Sequence, residues 1–327
     1  MNYLSLQEKV LSANFENFEE IALQIFQFQA TQNPIYQDYL SFLKVAPSSV
    51  DSIYQIPFLP IELFKHHLVL CKGLKTERIF SSSGTTGSQT SQHHIVDSDF
   101  YIKISQKIFE SIYGSLSEYH LLALLPSYLE RNNSSLVFMV ENFIKKTLYP
   151  SGFYLQNFQQ LHQDLMELKK QRKKVLLMGV TFALLDFAQM YPDDYEGIIV
   201  METGGMKGRR KEMIREEVHE YLCKQMNIEE VHSEYGMTEL LSQFYAQKEG
   251  IFQPNPFAKV LLRETNDPFS LQNFPKSGGI NLIDLANIHS CSFLETKDLG
   301  KTLPHNTFQV LGRLDNSDVR GCNLMVN

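Results

Sequence analysis

Apolar residues recur at helical spacing through residues 17–43, with Phe18, Ile21, Ile25 and Phe28 falling on one face, and the run breaks at Asn33-Pro34. That pattern predicts two successive amphipathic helices. Residues 56–65 read differently. Pro57 and Pro60 stand among large apolar residues, which suits an ordered extended or turn segment that packs down and poorly suits a helix interior. Short apolar runs at 120–125, 175–180 and 197–201, bounded by turn formers or polar segments, predict buried strands. Helical stretches are expected over 97–113 and 161–170, and a long amphipathic helix over 206–226. The alternation predicts an α/β core whose strands run largely parallel. From about residue 246 the segments shorten and alternate, as in Lys259-Val260-Leu261-Leu262-Arg263, and predict a β-rich subdomain. The expected organisation is a single domain over 1–327, with a helical part at 1–70, the α/β core at 71–245, the β-rich part at 246–311 and a hinge with a short tail at 312–327.

Composition narrows the function classes. The 327 residues carry 30 basic and 37 acidic side chains, net −7, so no broad electrostatic case exists for nucleic acid or an anionic membrane as partner. The one basic run, Lys169-Lys170-Gln171-Arg172-Lys173-Lys174, precedes Val175-Leu176-Leu177-Met178 and is expected to be a solvated helix end leading into a strand. Cys71, Cys223, Cys291 and Cys322 are far apart and form no C-x-x-C pair, so neither a disulfide framework nor a zinc site is expected. No basic-then-apolar leader opens the chain, and no run approaches the roughly 18 apolar residues of a membrane span. These features fit a soluble cytoplasmic enzyme.

Candidate chemistry concentrates in three places. Ser81-Ser82-Ser83-Gly84-Thr85-Thr86-Gly87-Ser88-Gln89-Thr90 packs glycines and hydroxyls at the density needed to wrap backbone around phosphates. Alone it is equally compatible with a flexible Ser/Thr linker, and it is neither a dinucleotide fingerprint nor a Walker loop. Further on, Glu234-Tyr235-Gly236-Met237-Thr238-Glu239 offers a flat ring for stacking, a hydroxyl donor and a hard carboxylate oxygen of the kind Mg²⁺ prefers. Last come Leu294-Glu295-Thr296-Lys297-Asp298-Leu299-Gly300 and Leu311-Gly312-Arg313-Leu314-Asp315. The two carboxylate oxygens of Asp298 suit a vicinal diol.

In this order the three motifs resemble the adenylate-forming enzymes. The resemblance implies a phosphate loop at Ser83, Gly84, Thr85, Thr86 and Gly87, an adenine site at Tyr235 flanked by Glu234 and Gly236, with the Gly204-Gly205 backbone beside it, Thr238 at the α-phosphate and Glu239 at Mg²⁺. It also implies that Asp298 holds the ribose, with Arg313 near ribose or phosphate and Asp315 near a hinge. The fold it implies is the large N-terminal domain of that superfamily, mainly parallel sheets with flanking helices plus a small β-rich subdomain. Two departures stand out: Thr90 occupies a position where many members have lysine, and the chain stops at Asn327, leaving no room for the C-terminal lid domain with its catalytic lysine.

One branch is closer still over nearly the whole length. Residues 57–65, 125–131, 202–210, 232–239 and 319–323 resemble the LuxE-type acyl-protein synthetases. That resemblance implies ATP and Mg²⁺ as cofactors and a fatty or other carboxylic acid as substrate. It further implies an acyl thioester on Cys322, handed on to an acyl-reductase or acyl-carrier partner protein. A thiolate is a suitable acceptor from a mixed anhydride, although Cys322 also reads as a small hydrophobe near a chain end. Of the histidines, the adjacent pairs His66-His67 and His93-His94 form no metal face. His232, two residues before Glu234, is placed to bond a substrate carboxylate or to serve structurally. Ser127, Glu130 and Arg131 follow a predicted strand and are candidates for an acyl pocket or partner surface, while the absence of G-x-S-x-G disfavours a Ser-His-Asp hydrolase. Two rivals remain: a phenylacetate–CoA-ligase-like enzyme using coenzyme A, and a non-enzymatic nucleotide or acyl-AMP binding module.

Overall fold

The computed structural model describes residues 3–82, 89–125, 133–204, 213–265, 267–271 and 277–314. Three helices open the chain, α1 (Tyr3–Leu11), α2 (Phe18–Gln32) and α3 (Pro34–Phe42). The predicted break lies where expected: Asn33 is extended, its side chain accepts the N–H of Tyr36, and Pro34 fills the first helical position, where its missing N–H costs nothing.

Next come β1 (Leu59–Pro60), a single helical turn α4 (Leu63–His66) and a hairpin of β2 (Arg78–Ser81) and β3 (Gln92–Ile95). The α/β part then follows in order: α5 (Ser98–Tyr113), β4 (Tyr119–Leu124), α6 (Ser135–Ile144), β5 (Gly152–Phe153), α7 (Phe158–Lys170), β6 (Lys174–Val180), α8 (Thr181–Met190), β7 (Ile199–Thr203), α9 (Arg215–Met226), β8 (Val231–Tyr235) and β9 (Phe244–Ala246). The strands line up as β5-β4-β6-β7-β8-β9, parallel except for β9. Every residue of β4 is buried, as are all but the first of β6. Such continuous apolar runs are what a parallel sheet covered on both faces requires, and each fully buried Leu or Val contributes about 1.5–3 kcal/mol.

The helix expected over 206–226 is shorter among the described residues. Ile214 is extended and α9 starts at Arg215, because the Glu217 side chain reaches back to accept the N–H of Ile214 at 3.2 Å and fixes the helix start there.

The remaining strands, β10 (Ala258–Arg263), β11 (Ser277–Asp284), β12 (Phe293–Thr302) and β13 (Phe308–Arg313), build a second sheet in the order β1-β12-β11-β10, with β13 on β12. It draws in β1 from the N-terminal part: Leu59 pairs with Leu294 and Pro60 with Glu295, in parallel. The strand β13 runs through Gly312 and Arg313, two residues expected in the hinge. Gly279 is glycine because Arg263 lies against it. A Cβ there would stand 2.5 Å from the guanidinium carbon, and Arg263, 5 % exposed, is tied to the carbonyls of Ile280 and Thr296. Phe252 bridges the two sheets, pairing with Ala246 on one side and Phe308 on the other.

Candidate active site

The carboxyl ends of β7 and β8 carry Thr203 and Tyr235, which is where open α/β sheets bind ligands. Tyr235 is 9 % exposed, packed among Phe244, Phe252 and Phe308. Its hydroxyl donates to Asp298 Oδ2 at 2.7 Å, and burial raises its pKa well above the phenolic value. Asp298 on β12 lies opposite Arg313 on β13, with Arg313 Nε 3.6 Å from Asp298 Oδ1. Burial raises the Asp298 carboxyl, opposed by the Tyr235 hydroxyl and the Arg313 charge. The Arg313 side chain is 81 % exposed, so the pair itself is worth at most about 1 kcal/mol. The second and third motifs therefore meet.

Four residues past Tyr235, Glu239 is 7 % exposed. Burial raises its pKa, opposed by a hydrogen bond from Ser91 and by the charges of Arg313 and Lys65. Its carbonyl accepts from Asn287 Nδ2 at 2.7 Å, and the carbonyl of Thr238 is bonded to His93 Nδ1 at 2.9 Å. Beyond it, buried Asp284 accepts from the backbone N–H groups of Leu241 and Ser242 and from the Ser242 hydroxyl. The motif thus rests on side chains that sit far from it in sequence.

Glu234 faces the opposite way from Tyr235, as neighbours on a strand do. It is hydrogen-bonded to the Thr203 hydroxyl, and burial pushes its carboxyl up to about 7, with Thr203 opposing and Glu202 adding to the rise. Gly236 is glycine for a steric reason: a Cβ would lie 2.5 Å from Glu234 Oε1. Gly204 ends β7 with a left-handed φ of 65° and its carbonyl accepts from the Thr181 hydroxyl at 2.7 Å. Next to it, burial would raise Glu202, but His219, Arg215 and Ser233 together lower its pKa. Arg215 lies 3.4 Å from Glu202, donates to the carbonyl of Val310 at 2.8 Å and sits over the Phe252 ring, so it joins the two sheets.

Ser83, Gly84, Thr85, Thr86, Gly87, Gly205 and Cys322, together with Ser127, Glu130, Arg131 and Asp315, lie outside the described residues. His232 is bonded to the Tyr113 hydroxyl at 3.0 Å, and burial lowers its pKa to about 4. The pair His66 and His67 is exposed, whereas His93 is buried within the site. In the sequence His93 carries one signal of this placement, its two-residue spacing from Ser91 beside the glycine-rich loop. Arg215 and Asn287 carry no motif signal, being scattered along the chain.

Among the described residues no group of three or more His, Cys, Asp or Glu stands together as a metal site. One buried carboxylate, Glu239, does fit Mg²⁺ held mainly by substrate phosphates and water. A cavity of about 290 Å³ lined by His120, Tyr149, Asp164 and Lys173 lies at the amino ends of β4 and β6, away from these motifs. No helix of the described residues is long and apolar enough to cross a membrane.

A family model described as acyl-protein synthetase, LuxE, matches residues 10–327. Among solved structures, an ATP-bound RpMatB–BxBclM chimera aligns at TM-score 0.53 and 15 % identity over 75 % of this chain and 49 % of its own. ATP-bound MatB from Rhodopseudomonas palustris aligns at TM-score 0.52 and 15 % identity, over 72 % and 47 %. A 2-hydroxyisobutyryl-CoA ligase in complex with 2-HIB-AMP and CoA aligns at TM-score 0.64 and 11 % identity, over 91 % and 70 %. The chain spans about half the length of the first two. At these identities the likeness establishes the adenylate-forming fold. No curated protein matches the sequence.

Proposed function

The chain belongs to the LuxE acyl-protein synthetase family, and from that premise we propose that it activates a fatty or other carboxylic acid with ATP and carries the product as a thioester on Cys322. The observation that supports this reading most is the Tyr235–Asp298 hydrogen bond, which joins the adenine-side motif to the ribose-side carboxylate. In the first step a substrate carboxylate oxygen attacks the α-phosphorus of ATP, and pyrophosphate leaves with its bonding electrons. The chain's part is positioning and charge stabilisation, so no general base is needed.

Asp298 keeps lone pairs for the ribose hydroxyls while Tyr235 fixes one of its oxygens. Arg313 supplies an exposed guanidinium for ribose or phosphate, and Ser83, Gly84, Thr85, Thr86 and Gly87 cradle phosphates with backbone N–H and hydroxyl groups. Thr238 donates to the α-phosphate, and Glu239 holds Mg²⁺. When bound, Mg²⁺ neutralises phosphate charge. In the second step the Cys322 thiolate attacks the acyl carbon and AMP leaves, which keeps the acyl group activated for a reductase or carrier partner.

Intact-mass measurement with ATP and a panel of fatty acids tests the reading. The wild type gains one acyl group that hydroxylamine removes, and Cys322→Ser gains none. A wild type that is never acylated, but turns over when coenzyme A is added, would be a CoA ligase instead.

A further inference from the structure

The hairpin β2–β3 is closed at its base by reciprocal bonds, Ser82 N–H to the Ser91 carbonyl at 3.1 Å and Ser91 N–H to Ser82 Oγ at 3.0 Å. The glycine-rich stretch lies between those two serines in sequence. From the same hairpin, Ser91 and His93 lie two residues apart, which on extended chain directs both side chains to one side. Ser91 faces the Glu239 carboxyl and favours its charged form, and His93 Nδ1 bonds the Thr238 carbonyl at 2.9 Å. On the far side Asn287 Nδ2 holds the Glu239 carbonyl at 2.7 Å. Asn287 is fixed in turn from the N-terminal helices, since buried Gln29 on α2 donates to the carbonyls of Asn287 and Ile288.

We propose that His93 is a positioning residue for the reaction: with Asn287 it clamps the Thr238–Glu239 backbone and ties it to the hairpin that carries the glycine-rich stretch. The ring is 1 % exposed and packs edge-on to Phe64 at 5.7 Å. It is therefore confined to one orientation. A carbonyl acceptor at Nδ1 requires the proton on that nitrogen, so the imidazole acts as a donor of fixed direction. A glutamate displaced by an ångström misses the metal it holds, and misplacement on that scale costs about 10²-fold in rate. The inference rests on the adenylation reading, because it assigns Glu239 its task from there. The clamp itself is a structural statement that stands apart from it.

Two variants separate the donor from the ring. His93→Phe keeps the aromatic bulk beside Phe64 and removes the bond, whereas His93→Asn places an amide N–H near the position of Nδ1. Hydrogen–deuterium exchange of the peptide spanning residues 236–242 reads the clamp without any turnover. Uptake rises in His93→Phe and stays near wild type in His93→Asn; equal uptake in wild type and His93→Phe overturns the proposal. In acid-dependent ATP–pyrophosphate exchange, His93→Phe loses about 10²-fold in kcat with KM for ATP within about threefold, and His93→Asn recovers to within about threefold of wild type. Exchange in His93→Phe equal to wild type, despite a loosened peptide, reduces His93 to a packing residue and also overturns the proposal. A wild type with no exchange on any acid contradicts the adenylation reading, and the deuterium uptake then decides the clamp by itself.

Discussion

Tyr235 at the end of β8 in the first sheet donates its hydroxyl to Asp298 on β12 of the second sheet, 2.7 Å away and 63 positions later in the chain. Tyr235→Phe removes the donor, keeps the ring and returns an acceptor site to Asp298. It is expected to cost about 1 kcal/mol of stability and to leave ATP–pyrophosphate exchange largely in place. Asp298→Ala is the harsher change, since it strands the buried hydroxyl at a cost of about 1–3 kcal/mol. If Tyr235→Phe abolishes exchange while Asp298→Ala spares it, the roles given to the two residues are reversed.

Glu234 gives a pH prediction. Its folded pKa of about 7 lies above the ordinary carboxylate value of 4.5, so between those values the folded state binds more protons than the unfolded. Through this group stability is greatest in acid and falls as pH rises from 4.5 to about 7, by about 1.4 kcal/mol per pH unit. Glu234→Gln keeps an acceptor for Thr203 and removes the titration. The variant should therefore gain on the wild type across that window, by on the order of 3 kcal/mol at pH 8 relative to pH 4. Denaturant midpoints at the two pH values check it, and parallel pH dependence in both proteins counts against it.

Gly236→Ala is predicted to fail by crowding. The added methyl would sit 2.5 Å from Glu234 Oε1, so either the carboxylate or the start of the 236–239 segment must shift. Overpacking of this kind costs about 1–3 kcal/mol. A thermal melt within error of wild type would show that Glu234 moves aside freely.

The chain displayed its local structure and hid its long-range pairings. The continuous apolar runs now found in β4, β6 and β7 and the Asn33-Pro34 break were legible because each depends on neighbours a few residues away. The second sheet was legible only as β-rich. That Leu59 would pair with Leu294, across most of the sequence, leaves no mark on local periodicity. The start of α9 was misjudged because the deciding contact, the Glu217 side chain on the N–H of Ile214, reads in sequence as one more charge in a charged helix. Of the candidate site, the residues proposed to bear ligand chemistry stand out as motifs. Their supports, His93, Asn287, Asp284 and Arg215, do not, since a hydrogen bond to a backbone carbonyl or N–H asks for no sequence pattern at either end.

Arg215 belongs to that second group. Arg215→Met is expected to lose its bond to the Val310 carbonyl and leave Glu202, 9 % exposed, with the His219 imidazole 3.8 Å away as its remaining neighbour of that kind. The pair is long and Arg215 is 28 % exposed, so a loss of about 1–3 kcal/mol is expected, below that of a fully buried pair. Without the guanidinium the Glu202 carboxyl, now held below 4.5, is expected to titrate at higher pH, so the deficit should be larger at neutral pH than in acid below 4.5. A deficit that is smaller at neutral pH than in acid contradicts the assignment of Arg215 as the Glu202 partner.

The central claim is that this chain forms an acyl-adenylate, and acid-dependent ATP–pyrophosphate exchange measures that step before any acceptor is engaged. The wild type, with Mg²⁺ and a fatty acid, is predicted to exchange label into ATP. Glu239→Gln is predicted to lose about 10²–10³-fold, the loss typical of one preorganised electrostatic contact, and Cys322→Ser to exchange at nearly the wild-type rate. No exchange by the wild type across a panel of carboxylic acids, or full exchange by Glu239→Gln, would contradict the account.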